Sequence, residues 1–447
     1  MIPTNKGMNN FIIKTLGCKV NQCESEAIAR CLTMSGWTLA EKDATVCIVN
    51  TCTVTQKASM QSRQAVRRFI RTYPDSYIIV TGCYAQTESD EIEKIEGVDY
   101  IIGHADKHKI PDIIKGLARK GRQDIASSRP VSVWREIMHE HDFMQIPAMS
   151  FGCRTRPFLK IQDGCNAFCT YCIVPHARGP SRSMKVESVL ENIIQLKNKG
   201  CREVVLSGIH LGRYGLDLSP KTGLYELLCR IDASTPIERV RLSSIEPCEL
   251  TGEIIELAAR SEIICRHFHI PLQSGDDHIL QRMNRPYTNV FFSDLIYKIS
   301  ESIPDAAIGV DTLIGFPGET EDAFENTYLA IEKLPVAYLH VFPFSPRKGT
   351  PANGYPDKIS TKIIKERCRR MRRLGLVKKK SFYEKFIGKK VDVLVEGGKK
   401  GSNGIAKGIT SNYIPVYLKG ENILENTIIK GKIEKLCGNN SVHGRLC

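Results

Sequence analysis

The stretch Asp163–Gly179, DGCNAFCTYCIVPHARG, places cysteines at 165, 169 and 172 in the spacing C-x3-C-x2-C. Thiolates are the ligands that iron–sulfur clusters require, and so close a spacing lets one loop hold several irons. Three cysteines serve three irons of a 4Fe–4S cube and leave the fourth iron open, as a catalyst needs and a pure electron carrier avoids. Zinc is the competing reading, with Cys153 or His176 as a fourth ligand. Structural zinc sites, however, usually pair two C-x2-C spacings.

Outward from this loop, the chain alternates strand and helix. Phe158–Gln162 precedes the cysteines, and further strands are expected at Glu203–Ser207, Val240–Ser244, His267–Pro271, Ile308–Leu313 and His340–Phe344. Helical stretches such as Ser188–Lys199 and Asp322–Lys333 separate them. This alternation predicts a parallel α/β sheet with right-handed crossovers. Six units fall short of the eight that close a TIM barrel, so an open (β/α)6 barrel is expected, with function at the C-terminal ends of its strands.

Nearer the N-terminus three strand candidates end alike. Phe11–Thr15 runs into Leu16-Gly17-Cys18, Thr45–Asn50 into Thr51-Cys52, and Tyr77–Thr81 into Gly82-Cys83, with helical stretches at Gln22–Ser35 and Ser59–Tyr73. In parallel sheets the carboxyl ends of strands open on one crevice. Cys18, Cys52 and Cys83 are therefore expected to meet as a second three-thiolate site. Residues 110–150 read as a helix followed by a connection. After about residue 380 the pattern changes to short strands at Val391–Glu396, Gly404–Thr410, Ile414–Leu418 and Thr427–Lys435 with Gly- and Asn-rich turns, which predicts a small all-β barrel. Three domains follow, at 9–120, 149–380 and 381–447.

Composition sets the class. The 447 residues include 63 Lys and Arg against 49 Asp and Glu, a net charge of +14. With 42% hydrophobic and 25% charged residues, the chain is not disordered. No apolar run approaches the roughly 20 residues that cross a bilayer. The start, MIPTNKGMNNFIIKTLGC, lacks the apolar core of a signal peptide. A cytoplasmic protein without membrane contact is expected, and there 17 cysteines point to metal or redox chemistry before disulfides. Cys31, Cys47, Cys201, Cys229, Cys265 and Cys368 sit in apolar or mixed segments and read as small buried hydrophobes. Between Asp357 and Lys400 there are 16 Lys and Arg against five Asp and Glu, 16 − 5 = +11, in a helical spacing. Such a patch suits a polyanion, because phosphate contacts release counterions.

The C-x3-C-x2-C loop resembles the signature of radical S-adenosylmethionine enzymes. Together with the cysteines of GCKVN, NTC and GCYAQ and the terminal β barrel, it resembles the methylthiotransferases along essentially the whole chain. The resemblance implies an N-terminal cluster domain, a radical barrel and a TRAM domain, and two 4Fe–4S clusters with S-adenosylmethionine as co-substrate. Cys165, Cys169 and Cys172 would hold the radical cluster, whose open iron binds S-adenosylmethionine and cleaves it to a 5′-deoxyadenosyl radical. Cys18, Cys52 and Cys83 would hold an auxiliary cluster carrying the sulfur to be methylated and inserted. Gly208, in LSGIHLGRYG, would lie against the amino acid end of S-adenosylmethionine, although a plain turn reads as well. Ser243, Ser244 and Glu246, in RLSSIEP, suit ribose hydroxyls, with helix capping the competing reading. GFPGET (315–320) lacks the Gly-Lys-Ser/Thr of a phosphate loop and points weakly to the adenine. His340–Ser345, with Pro346 and Arg347, reads as strand core.

The family divides by substrate into prenylated adenosine in tRNA, threonylcarbamoyladenosine in tRNA, and an aspartate of a ribosomal protein. The context Leu-Gly-Cys-Lys-Val-Asn around Cys18 resembles the threonylcarbamoyl group, and the basic segment favours tRNA over protein. The expected activity is 2-methylthiolation of threonylcarbamoyladenosine 37 beside the anticodon, with a reducing protein such as flavodoxin or ferredoxin and a sulfur source as partners. A non-catalytic iron–sulfur RNA-binding protein is the alternative of another class. A threonylcarbamoyl carboxylate wants a cation, for which Arg178, Arg182, His176 and Arg213 are the candidates.

Overall fold

The computed structural model describes residues 9–117, 129–144, 155–234, 237–396, 404–420, 423–438 and 441–447. Cys153, most of the connection after residue 117 and the turn at 397–403 lie outside the described residues. In chain order come β1 (Asn10–Thr15), β2 (Thr38–Leu39), β3 (Val46–Thr51), β4 (Tyr77–Gly82), β5 (Tyr100–Ile102) and β6 (Val131–Val133). Then follow β7 (Phe158–Lys160), β8 (Gln162–Asp163), β9 (Arg182–Ser183), β10 (Glu203–Ser207) and β11 (Arg239–Leu242). β12 (His267–Gln273), β13 (Ala307–Ile314) and β14 (Tyr338–Pro343) come next. The last five are β15 (Lys390–Val395), β16 (Ile405–Thr410), β17 (Pro415–Lys419), β18 (Ile428–Cys437) and β19 (Ser441–Leu446).

The chain folds as two compact units. One comprises Met1–Phe151, Gln162–Met184 and Ser345–Thr350; the other comprises Gly152–Ile161, Lys185–Phe344 and Pro351–Cys447. The Asp163–Gly179 loop therefore belongs to the same unit as the N-terminal sheet.

That sheet is all parallel, in the order β2-β1-β3-β4-β5-β6. Alternation along its strands supplies two cores. Phe11, Val46, Ile48, Tyr77 and Ile79 pack with Ile28 and Leu32 of the helix Lys19–Met34. Cys47, Val49, Ile78 and Val80 pack with Val66 of the helix Gln56–Thr72. β3 and β4 are buried on both faces, as strands inside a doubly covered parallel sheet must be. β6 was not expected: in the sequence, VSV is too short to stand out from the connection around it.

In the second unit β11-β10-β7 and β12-β13-β14 form two parallel trios. The parallel bridges Val240↔Ile264 and Ser244↔His269 join them, giving the open six-stranded arrangement expected from the sequence. Phe268, Ile270, Ile308 and Val310 are fully buried on one face. His267, His269, Asp311, Tyr338 and His340 alternate with such residues on the other. The terminal strands make a closed barrel, β15-β16-β17-β19-β18. The unforeseen β19, SVHGRL, closes it by pairing parallel to β17 and antiparallel to β18.

Val393, Val416, Leu418, Ile433 and Val442 fill the β barrel and continue into Phe382, Tyr383 and Phe386 at the end of the helix Thr361–Glu384. Arg239 and Arg241 donate to carbonyls of Asp392, Ile409, Thr410 and Ser411, while Tyr413 stacks on His267 at 4.5 Å. The barrel is thus built into its unit. Among the described residues no helix is long and apolar enough to cross a membrane.

Candidate functional site

Cys18, Cys52 and Cys83 follow β1, β3 and β4, three adjacent strands. The neighbours of β1 are β2 on one side and β3 on the other, so the chain order reverses there and opens a crevice at the carboxyl ends. Glycines bring the cysteine turns close. A Cβ on Gly17, at φ +98°, would stand 2.9 Å from Cys52 Sγ, and one on Gly82, at φ +102°, would stand 2.4 Å from the Thr51 carbonyl. Asn21, quoted above only as part of GCKVN, is the tie between these turns. Its Nδ2 donates to the carbonyls of Leu16 (2.7 Å) and Thr51 (3.0 Å). Asn50, of NTC, donates to the Asn21 carbonyl and to Ser25 Oγ. Burial pushes the Cys83 thiol up to about 11, against the opposing cations Arg178 and Lys107. Cys52 is raised for the same first reason. A metal bound there would take the place of these protons.

The second set lies on the loop after β8. Gly164, at φ +71°, and Gly179, at φ +72°, close its ends; a Cβ on Gly164 would lie 1.8 Å from the Pro180 carbonyl. Cys165 N–H donates to the Gly179 carbonyl at 3.0 Å, and Ala167 N–H points to Cys165 Sγ at 3.4 Å. Cys169 is 9% exposed, while Cys165 and Cys172 are half-buried. No disulfide joins any described cysteine. Both sets offer three thiol donors without a fourth described cysteine of their motif, which fits iron–sulfur cubes with an open iron.

A buried ionic network joins the two sets. Arg178, 1% exposed, donates to Asp163 Oδ1 (2.7 Å), Glu24 Oε1 (3.0 Å) and Asn21 Oδ1 (2.6 Å). Lys107 Nζ reaches Glu24 Oε2 (2.5 Å) and Asn50 Oδ1 (3.2 Å). Burial works against the Arg178 charge, but Glu24 and Asp163 outweigh it and hold it well above its ordinary value. Burial, helped by Lys107 and Arg178, lowers His104 and favours its neutral form. Two cations then face two carboxylates. Removing one partner of such a set typically costs about 3–5 kcal/mol, because a buried charge is left uncompensated.

This corrects two expectations. Arg178 and Arg182 do not face substrate: Arg178 is locked in the network, and Arg182, 4% exposed, donates to the Arg178 carbonyl. Arg213 is held by Glu249 at 2.7 Å. Only His176 of the four candidates is exposed without an ion pair among the described residues. Arg347, read as strand core, instead pairs with Glu88 and donates to Thr53.

In the second unit Gly208 follows β10 and Ser243 follows β11, with Ser243 N–H donating to the Leu206 carbonyl at 3.0 Å. The two turns are neighbours. Ser243 is 7% exposed and its Oγ has no partner among the described residues, as expected of a hydroxyl that awaits a ligand. Glu246 is engaged by Arg285, and burial raises its carboxyl despite that guanidinium. On the helix Thr361–Glu384, Arg367 and Arg370 are held by Glu319, Glu321 and Glu325, whereas Lys362, Lys365, Arg372, Arg373 and Lys380 are exposed. The cluster His269–Asp311–His340 went unnoticed in the sequence, since its members lie on three separate strands.

A parallel six-stranded (β/α) framework whose first strand leads into a C-x3-C-x2-C loop defines a radical S-adenosylmethionine enzyme. The chain matches the radical SAM superfamily over residues 159–331 and the family described as "Uncharacterized protein family UPF0004" over 10–103. It is 40% identical to the threonylcarbamoyladenosine tRNA methylthiotransferase MtaB of Bacillus subtilis, over 96% of this chain and 94% of that protein. The MtaB of Aquifex aeolicus is 35% identical over 91% and 96% of the two chains. The tRNA-2-methylthio-N(6)-dimethylallyladenosine synthase of Symbiobacterium thermophilum is 34% identical over 95% and 91%. Among solved structures, the radical S-adenosylmethionine methyltransferase TsrM of Kitasatospora setae superposes with a TM-score of 0.57 at 15% identity, over 78% of this chain and 77% of that one. The chain belongs to the radical S-adenosylmethionine tRNA methylthiotransferases.

Proposed function

We propose that the protein transfers a methylthio group to carbon 2 of N6-threonylcarbamoyladenosine at position 37 of tRNA, with S-adenosylmethionine as both methyl donor and radical source. The observation that carries this reading is the 40% identity to an MtaB over 96% of the chain, against 34% to a dimethylallyladenosine synthase. We assign one 4Fe–4S cluster to Cys165, Cys169 and Cys172 and a second to Cys18, Cys52 and Cys83; bound there, they supply the electron that cleaves the sulfonium and the sulfur that is transferred.

The chain's own residues do the rest. Gly164 and Gly179 hold the loop in the turn that gathers its thiols. Asn21 and Asn50 fix the crevice turns, and Arg178 sets a positive charge beside Cys83 and Cys52 that favours their thiolates. Gly208 and Ser243, on neighbouring turns, form our proposed S-adenosylmethionine subsite, with the Ser243 hydroxyl toward a ribose; Glu246 shapes it through Arg285. The exposed cations of the helix Thr361–Glu384 and the β barrel supply tRNA affinity. We place the enzyme in the cytoplasm, with a flavodoxin or ferredoxin as reductant and a separate sulfur source, and retain 9–120, 149–380 and 381–447 as its functional divisions.

The test is a paired assay under anaerobic conditions with tRNA bearing threonylcarbamoyladenosine and tRNA bearing the prenylated base, hydrolysed nucleosides being weighed by mass spectrometry. Methylthio product on the first alone is the expected result. Product on the prenylated tRNA alone would overturn the substrate assignment.

A further inference from the structure

On the outer face of the terminal barrel the strand register sets two rows of side chains next to each other. In β17, Val416 and Leu418 belong to the core, so Tyr417 and Lys419 point outward. In β19, Val442 belongs to the core, and His443 and Arg445 point outward. The first row runs Lys407, Tyr417, His443, Lys435 across β16, β17, β19 and β18. Its two rings lie 5.7 Å apart and are tilted by 37°. The second row runs Ile405, Lys419, Arg445, Lys432 and on to Lys390 of β15.

The second row is unfavourable by itself. Arg445 faces Lys432 and Lys432 faces Lys390 across antiparallel pairs, where like charges directly opposite destabilise a sheet. Lys419 continues the row beside Arg445. Among the described residues only Glu434, 3.2 Å from Arg445, is ion-paired with these four cations. In the first row Glu396 stands 4.0 Å from Lys407 but is held at 2.6 Å by Arg156. Four cations in register with one acid form a stripe that a polyanion neutralises. The two half-buried rings beside it offer the kind of surface on which an unstacked base rests.

We propose that this face binds unpaired RNA nucleotides: a base stacks on the Tyr417–His443 pair, and neighbouring phosphates lie along the row from Lys419 to Lys390. The inference rests on the tRNA reading above and deepens it, adding a place and a preference to what exposed cations supply. Stacking tolerates any base, because every base has a π-face, but it requires one that is out of its helix. A duplex offers phosphates and no free base, so the rings discriminate single strand from duplex where lysines alone do not. Removing a charge from the row relieves repulsion in the free protein and loses a phosphate contact in the complex. Stability and binding then move in opposite directions.

The experiment uses the full-length holoenzyme and a single-stranded RNA with one 2-aminopurine, whose fluorescence is quenched on stacking. The same RNA annealed to its complement is the control. Wild type should quench the single-stranded probe. Tyr417→Ala should abolish the quenching and weaken single-strand binding by about 5- to 150-fold, the range of base–aromatic stacking, with little change on the duplex. Tyr417→Phe, which keeps the ring, should behave as wild type. His443→Leu should weaken single-strand binding in the same sense, which tests the pair without touching Tyr417. Lys432→Gln should lower the log–log salt slope on the single strand by about 0.7 and raise the thermal midpoint followed by far-UV circular dichroism. A merely structural lysine does not give that combination. An unquenched probe with wild type, or a Tyr417→Ala variant with unchanged single-strand affinity or an equal loss on duplex, overturns the inference. Because RNA binding is read and not methylthio product, such a failure leaves the threonylcarbamoyl reading to stand or fall by the paired nucleoside assay.

Discussion

Cys165, Cys169 and Cys172 come from one short loop, whereas Cys18, Cys52 and Cys83 come from the ends of three strands. The loop takes shape from short-range contacts, with two left-handed glycines at its ends and backbone hydrogen bonds such as Cys165 N–H to the Gly179 carbonyl and Cys172 N–H to the Cys169 carbonyl. The crevice needs a whole sheet, two asparagine ties and a buried ionic network. Local spacing is enough to gather thiols when only three to ten residues are involved. Distant thiols require tertiary structure that keeps them gathered, and here that structure also brings Arg178 from the loop into the crevice. The comparison teaches that the two sets are chemically separable yet structurally joined.

The largest test of that separation is a pair of triple variants. Cys165, Cys169 and Cys172 changed to Ala should abolish 5′-deoxyadenosine formation and lower bound iron from about eight to about four per chain. Cys18, Cys52 and Cys83 changed to Ala should leave S-adenosylmethionine cleavage and abolish methylthio product. Iron analysis with chromatography of the two products decides it; cleavage that survives the first variant would refute the assignment.

The structural joint is tested by Arg178→Met, which takes the Arg178 guanidinium away from both Glu24 and Asp163 and leaves Lys107 on Glu24. The first unit should lose about 3–5 kcal/mol. The chain's two tryptophans, Trp37 and Trp134, both lie in that unit, so their fluorescence in urea reads this loss without a signal from the other. An unchanged midpoint would show that the two sets are not coupled through Arg178.

A smaller effect is expected in the second unit. Asp311 has its folded pKa lowered to about 2, below the ordinary value near 3.9, so its stabilisation is full above about pH 4 and is lost as pH falls toward 2. That component amounts to about 2 kcal/mol and should be missing from the acid limb of Asp311→Asn, followed by far-UV circular dichroism. The smallest change belongs to the basic helix: Arg372, Arg373 and Lys380 changed to Gln should each reduce the log–log salt slope of tRNA binding by about 0.9 for every duplex phosphate released. Deleting everything after residue 380 is the poorer experiment, because Phe382, Tyr383 and Phe386 carry the barrel core and Tyr413 packs on His267.

Much of this was legible in the chain itself. Strands such as Glu203–Ser207 fell where expected, and β3 and β4 deviated by a residue, because alternating apolar runs between glycine-rich turns are local signals. The C-x3-C-x2-C loop needed no fold to be recognised, and repeated strand–cysteine endings marked the crevice. β6 and β19 were not visible, since strands of low apolar content form only against a partner already in place. Arg178, Arg182 and Arg213 looked like substrate cations because sequence records a charge but not what neutralises it. Glu24 lies 154 positions from Arg178, and Asp311, His269 and His340 are strangers along the chain. Covalent order determined the strands, the helices and the two sets of thiols; the three-dimensional packing alone decided which charges are paired, because ion pairing depends on distances between residues that the chain keeps far apart.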